Sequence, residues 1–478
     1  MSLQPDERAG LETALGQAIA YRDSISSRPI PPRIDLDEAM TRFHQPLNEA
    51  GEPIAKVING LVQNADDGLI QMCSPNFHGF VLGASHPAGV AGDILVSAWG
   101  QNSPHNVLTP SIAAIEQTVA SWVIELLDLP KESRAAFVTG ATLANSAAVA
   151  AARNELLGRE GWDVEASGLF GAPEIQVIVG GEAHSGVFAA LRYNGLGAER
   201  VHKVPTNSDG VMDVAAFETK IAELSGPILV ILQAGHINSG AFDPFGQIIP
   251  TAHRKNAWVH VDGAFGLWLR CAPDLARRLE SVERADSWAV DLHKWLNAPF
   301  DAGMVITRHA SALSRAMSAR GSYLPETGGN YDPCDLVYEL SRRARGVPSY
   351  TILRTLGKSG VREMISRHCQ LAQHVAGRLA AEPGITVLNE IHANQIAVRF
   401  GQGPAADELT RETLKQIHQR GIVYPSHGIW RGGQILRVSI IGHETQLRHA
   451  NKVADEIISA WRSVRKPEMQ QRMFGFCL

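Results

Sequence analysis

The stretch SWAVDLHKWLNAPFDAGMV, residues 287–305, sets Lys294 between His293 and Trp295, with Trp288 earlier in the same apolar run. This setting predicts burial. Taking an ammonium out of water costs several kcal/mol or drives the group to lose its proton. A neutral lysine is a nucleophile that forms an imine with an aldehyde. Asp262, in HVDGAFG, closes another apolar run at a separation that fits one helical crossover between neighbouring parallel strands. A lone aspartate there also serves as a helix N-cap. Two opposite charges at neighbouring strand ends point instead to a site at the carboxyl edge of a sheet, where open α/β folds bind ligands.

Two further turns reach the same edge. TGATLANS, residues 139–146, reads as a strand end, a glycine turn and a helix start. Its free amides and the Thr142 hydroxyl suit a phosphate, although Gly-Ala-Thr also fits a plain turn. GGEAHSG, residues 180–186, brings His184 to the edge, where a single histidine is more often scaffold than catalyst.

The elements that must position these residues follow from periodicity. From about residue 135, short β-branched runs (IQVIVGG, RVHKVPT, PILVILQ, AWVHVDG, MVITRH) alternate with helical segments, one of them alanine-rich. That pattern predicts an α/β fold with a mostly parallel sheet covered on both faces. Residues 6–23, 35–43 (with Asp35 as N-cap) and 109–127 read as helices. SPNFHGFVLGASHPAGVAGDIL at 74–95 breaks the helical pattern. From about 350, a long helix pair, the strands ITVLNE, QIAVRF and QILRVSI and a closing helix predict a smaller α+β domain, with a tail after about 463. The expected division is a helical segment 1–78, a large domain 79–349 and a small domain 350–478. Trp288 and Trp295 are expected in the core.

A phosphate cradle, a stacking ring, a carboxylate and a buried lysine together describe the binding of pyridoxal 5′-phosphate (PLP). The lysine forms an imine with the aldehyde, and the carboxylate keeps the pyridine nitrogen protonated as an electron sink. On these residues the chain resembles the group II PLP-dependent amino-acid decarboxylases of fold type I, which include the aromatic-L-amino-acid, glutamate and histidine decarboxylases. SGAFDP, YELSRRARG and LRVSI extend the likeness over about residues 74–460. It implies a seven-stranded large-domain sheet, an L-amino acid as substrate, the corresponding amine and CO2 as products, and a homodimer with active sites at the interface.

Residue by residue, the resemblance makes Lys294 the imine-forming lysine and Asp262 the partner of the ring nitrogen. Ala264 packs on one ring face and His184 stacks on the other. Ala141, Thr142, Asp291 and His293 serve the phosphate. Tyr323, in GSYLPE, matches a tyrosine that protonates the substrate carbon, and Arg437, in LRVSI, an arginine near the substrate carboxylate. His78 and Phe80, in FHGFV, fall in a stretch that lines the substrate pocket; His78 and Gly79 stand where aromatic-specific relatives have bulkier apolar residues. Two departures lie at the cofactor: Gly235-His236-Ile237 replaces Gly-Thr-Thr, bringing His236 near it, and Ala141 stands where Gly or Ser is common. The same cage serves aldehyde synthases, aminotransferases and lyases, or a non-catalytic PLP-binding protein. Tyr323 discriminates, since the aldehyde-forming members replace it.

Composition narrows the remaining classes. With 44 basic and 49 acidic residues among 478, the net charge is −5, and no basic block marks a nucleic-acid surface. Five scattered cysteines without a CxxC pair indicate neither a disulfide framework nor a metal site. The charged N-terminal stretch lacks a signal core, and no run approaches the ~20 apolar residues of a membrane span. The expectation is a cytoplasmic enzyme.

Overall fold

The computed structural model describes residues 2–318 and 331–474. The chain opens with helices Pro5–Ser24, Leu36–Phe43 and Ile54–Ala65, and Asp35 caps the second by accepting the Glu38 amide at 3.0 Å. A two-residue strand, β1 (Phe77–His78), follows. Then come β2 (Arg134–Val138), β3 (Gln176–Gly180), β4 (His202–Val204), β5 (Ile228–Gln233), β6 (Trp258–Asp262), β7 (Ser287–Asp291) and β8 (Gly303–Thr307). These seven form one sheet in the order β2-β8-β7-β6-β5-β3-β4. Only β8 runs against its neighbours, so the sheet is mostly parallel, as expected.

Strands β5 to β8 are buried from end to end because helices cover both faces. On one face lies the helix Ala141–Arg159, whose Ala144, Ala147, Ala148 and Ala151 are fully buried. Its small side chains let it pack between the sheet and the helices Ser185–Tyr193 and Ala310–Met317. The opposite face gathers Val119, Val123, Ile248, Val259, Val261, Trp288 and Trp295 into a second cluster. Both tryptophans are core residues. The two-residue strand period therefore sends Val259 and Val261 one way, and Trp258, His260 and Asp262 toward the alanine-rich helix.

The expected helix pair is Gly346–Ala380, interrupted at Gly357 (φ 61°, ψ 179°), so its two halves run end to end. That left-handed φ strains any residue with a Cβ. The small sheet has the order β1-β11-β12-β10-β9, with β9 (Ile385–Val387), β10 (Gln395–Phe400), β11 (Tyr424–Trp430) and β12 (Gly433–Ser439). It packs against Ala406–Arg420 and Leu447–Phe474. Two features depart from the sequence reading. Strand β11, YPSHGIW, was unforeseen because its proline and glycine speak against a strand. The expected tail after 463 continues the last helix to Phe474, beyond its packed residues Ala450, Val453, Ala454 and Ile457. Among the described residues no helix is long and apolar enough to cross a membrane.

Candidate active site

The carboxyl ends of β5, β6 and β7 and the starts of two helices converge on a cavity of about 320 Å³. Lys294, Asp262, His184, Ala264, Ala141, Thr142, Asp291 and His293 all line it, with Asn145, Gln233, Gly235, Ile237 and Phe265. Lys294 follows β7 in a turn held from outside the sheet. The Gly83 amide donates to the His293 carbonyl at 3.2 Å, and Asn297 Oδ1 accepts the amides of Ala84 and His443, each at 3.0 Å. A Cβ on Gly83 would collide with the Lys294 carbonyl, so only glycine allows this approach.

Both carboxylates sit where strand register puts them. Asp262 pairs with Gln233 on β5 and Ala289 on β7. Its Oδ2 accepts from Asn145 Nδ2 at 3.1 Å and its Oδ1 from the Ala264 amide at 3.2 Å. Asp291 Oδ1 accepts the Ala141 amide at 2.6 Å, and its Oδ2 lies 3.1 Å from Lys294 Nζ.

The helix Ala141–Arg159 begins at Gly140 without a side-chain cap. Among the described residues, nothing accepts from the amides of Thr142 and Leu143. Two free amides at the positive end of a 19-residue helix suit a phosphate. A Cβ on Gly303 would stand 2.6 Å from Gly140 Cα, and one on Gly140 would stand 3.0 Å from the His293 ring, so two glycines keep this cradle open. Amine, carboxylate, flat ring and cradle together fit a phosphorylated pyridine aldehyde.

His184 caps the helix Ser185–Tyr193, its Nδ1 accepting the Gly186 amide at 3.1 Å. Burial lowers its pKa, and Lys294 and Arg437 add to the effect against the opposing pull of Asp262. A neutral ring with an accepting Nδ1 carries its proton on Nε2. Burial also lowers the pKa of His293, and its Nδ1 accepts the Ala302 amide at 3.2 Å.

Other expected residues lie apart from this cavity. Arg437, on β12, is buried, donates to the Ile237 carbonyl at 2.8 Å and has no carboxylate partner among the described residues. Burial pulls its pKa down to about 10. His78, on β1, is buried and held down at about 4 by desolvation. The Ser439 backbone tempers that shift, but neither ring nitrogen makes a well-aligned hydrogen bond. Phe80 is exposed at a left-handed φ of 55°, its amide held by Ser426 and its carbonyl by the Ser439 hydroxyl. His236 turns its ring away from the cavity, toward Ser239 Oγ at 3.1 Å and Glu182 Oε2 at 3.3 Å, because Gly235 and Ile237 take the cavity side of that turn. Tyr323 lies outside the described residues. Tyr331 lines a separate cavity with Glu116 and Arg342.

Sequence reasoning missed Asn145 and His260. Asn145 follows the expected phosphate turn by one helical turn. His260 precedes Asp262 by one strand period, and a histidine inside an apolar run was the available signal.

The sequence profile of the pyridoxal-dependent decarboxylase conserved domain matches residues 37–400. The chain is similar to an aromatic-L-amino-acid decarboxylase of Bacillus atrophaeus, 24% identical over 447 residues that cover 90% of each chain. It is also similar to a 4-hydroxyphenylacetaldehyde synthase of Rhodiola rosea, 23% identical over 463 residues, covering 93% of this chain and 91% of that one. Its fold matches the crystal structure of Oryza sativa TDC with PLP and tryptamine at a TM-score of 0.89 and 24% identity, over 97% of this chain and 99% of that one. The profile spans most of the chain and includes every cavity-lining residue, and on that ground this protein belongs to the pyridoxal-dependent decarboxylases, enzymes that work with PLP.

Proposed function

We propose that the protein removes the carboxylate of an L-amino acid as CO2 and releases the corresponding amine. The observation that carries this reading is the convergence of Lys294, Asp262, His184 and the helix start at Ala141 on one cavity. When bound, PLP supplies an aldehyde for amine attachment and a protonated ring that withdraws electrons from Cα. Lys294 holds the cofactor until the substrate amine takes its place. Asp262 keeps the ring nitrogen protonated through a charge-assisted hydrogen bond. His184 covers one ring face and Ala264 the other, while the amides of Thr142 and Leu143 hold the phosphate.

Arg437 is the candidate anchor for the substrate carboxylate, which must be oriented so that the breaking bond stands perpendicular to the ring. Its burial without a carboxylate partner among the described residues supports that role, as an uncompensated guanidinium is costly unless an anion meets it. By family resemblance Tyr323, with His184, delivers the proton that replaces CO2 at Cα. His78 and Phe80 belong to the segment that reaches the Lys294 turn, and this supports a part in shaping the substrate pocket.

Aromatic amino acids are the proposed substrate class, supported by the relatives' names. Aldehyde formation is the second reading, supported by the similarity to aldehyde synthases. A homodimer is proposed as the working form, supported by exposed Leu11, Leu15, Ile19, Leu36 and Met40 on the N-terminal helices. Free cysteines support a reducing, cytoplasmic setting. The test is a panel of free amino acids given to the PLP-loaded protein, with CO2, amine, aldehyde and ammonia measured. One amine per CO2 is expected. One aldehyde per CO2 favours the second reading, and no CO2 from any amino acid overturns both.

A further inference from the structure

A polar row crosses the otherwise apolar layer between the sheet and the helix Ala141–Arg159. Trp258 Nε1 donates to Ser287 Oγ at 2.9 Å, and Ser287 Oγ lies 2.9 Å from His260 Nδ1. His260 Nε2 lies 2.9 Å from Asn145 Oδ1, and Asn145 Nδ2 donates to Asp262 Oδ2 at 3.1 Å. All five side chains are buried. His260 and Ser287 are register partners on β6 and β7. A buried polar row is costly unless every member is satisfied, and apolar residues would pack there without that risk.

One set of proton positions satisfies the whole row. An ionised Asp262 only accepts, so Asn145 turns its amide nitrogen to it and leaves Oδ1 for His260. His260 Nε2 then carries the proton, and Nδ1 accepts from the Ser287 hydroxyl. That hydroxyl in turn accepts from the Trp258 indole, which only donates. Every donor points toward Asp262. Burial keeps His260 neutral, holding it down at about 4 against the opposing pull of Asp262. A flipped Asn145 would face the carboxylate with its oxygen and break two bonds, so the row is self-consistent only with Asp262 ionised.

We propose that Asn145, His260 and Ser287 are positioning residues that hold Asp262 ionised and aimed into the cavity, and so set the protonation of the cofactor's ring nitrogen. The inference rests on the reading that Asp262 faces that nitrogen. The Ala264 amide grips the other carboxylate oxygen, so the row needs to fix only the remaining degree of freedom.

The test uses the full chain with His260→Phe, Asn145→Leu, His260→Gln and Asp262→Asn. Three quantities are read: PLP affinity of the apoprotein, the pH dependence of the bound cofactor's absorbance, and the thermal midpoint. His260→Phe and Asn145→Leu should weaken PLP binding about tenfold or more, as expected for losing a hydrogen bond to a charged group. They should also move the absorbance transition by about one pH unit. His260→Gln, which can donate to Asn145 and accept from Ser287, should stay near wild type. Wild-type affinity and absorbance in a folded His260→Phe would overturn the proposal. So would equal losses in the Phe and Gln variants that track a fallen thermal midpoint. If His260→Phe does not fold, nitrogen NMR of histidine-labelled wild type decides, with the His260 signal identified by its loss in His260→Gln. A neutral ring protonated on Nε2 at pH 7 supports the row, and a charged ring or one protonated on Nδ1 overturns it. Failure of the underlying reading looks different: Asp262→Asn would itself leave affinity and absorbance at wild-type values.

Discussion

Lys294 Nζ lies 3.1 Å from Asp291 Oδ2, at the end of the strand that delivers both residues to the cavity. The other Asp291 oxygen accepts the first amide of the alanine-rich helix. One carboxylate thus ties the amine to the phosphate cradle and fixes their separation, which a ligand carrying both an aldehyde and a phosphate must match.

Lys294 should therefore be the residue that borohydride fixes to the cofactor. Peptide mapping of the reduced protein should find the label on the Lys294 peptide, and Lys294→Ala should lose turnover while still retaining PLP non-covalently. A label on Lys203 or Lys255 contradicts the assignment.

Arg437→Met should separate stability from function. Removing a buried cation that lacks a carboxylate partner among the described residues should leave the thermal midpoint unchanged or raise it, since replacing buried charge with an apolar side chain is often neutral or stabilising. KM for the amino acid should rise by about 30-fold, the equivalent of roughly 2 kcal/mol of lost charge pairing. An unchanged KM removes Arg437 from the substrate site.

How much of this could be read beforehand depended on parity. Lys294, Asp262 and His184 each end or follow an apolar run, so sequence alone sent them to one sheet edge, and all three line the cavity. His236 stands between two cavity-lining neighbours, and backbone alternation turns its ring the opposite way, which residue type does not reveal. The same alternation hid His260, whose neighbours Val259 and Val261 face the apolar cluster on the far side of the sheet. The reversed direction of β8 and the pairing of β1 with β11 arise from contacts distant in sequence, so no local pattern announces them.

Tyr323→Phe should change the product more than the binding. The variant should bind PLP and substrate normally but yield less amine, with aldehyde and ammonia appearing in air, because the general acid that ends the reaction is gone. Tyr331→Phe should leave the product unchanged, since Tyr331 lines the cavity beside Glu116. Loss of amine in Tyr331→Phe alone would transfer the role to Tyr331.

The protein should lose stability in mild acid. Burial holds His78 and His260 down at about 4, and His368 and His443 at about 3. An unfolded histidine titrates near 6.5, so between these values the unfolded chain takes up protons that the folded one refuses. The stability these rings contribute is present above about pH 6.5 and is lost as the pH falls toward 4, at on the order of 3 kcal/mol per histidine. Circular dichroism melts should show the midpoint falling steeply between about pH 6 and 4. A midpoint that stays level from pH 7 to 5 contradicts the neutral assignment.

Strand β1 is fastened to the small sheet through Phe77 and His78, opposite Tyr424 and Pro425. A few residues on, Gly83, Ala84 and His86 are fastened to the Lys294 turn through the His293 carbonyl and Asn297. Fully stretched, the chain between Phe77 and Gly83 reaches only about 20 Å. It acts as a short tie-rod, so rigid-body drift of the small sheet is passed to the catalytic turn rather than absorbed by a hinge. The two lobes are therefore one machine part: a chain cut before Tyr424 loses an anchor of its lysine along with its last domain.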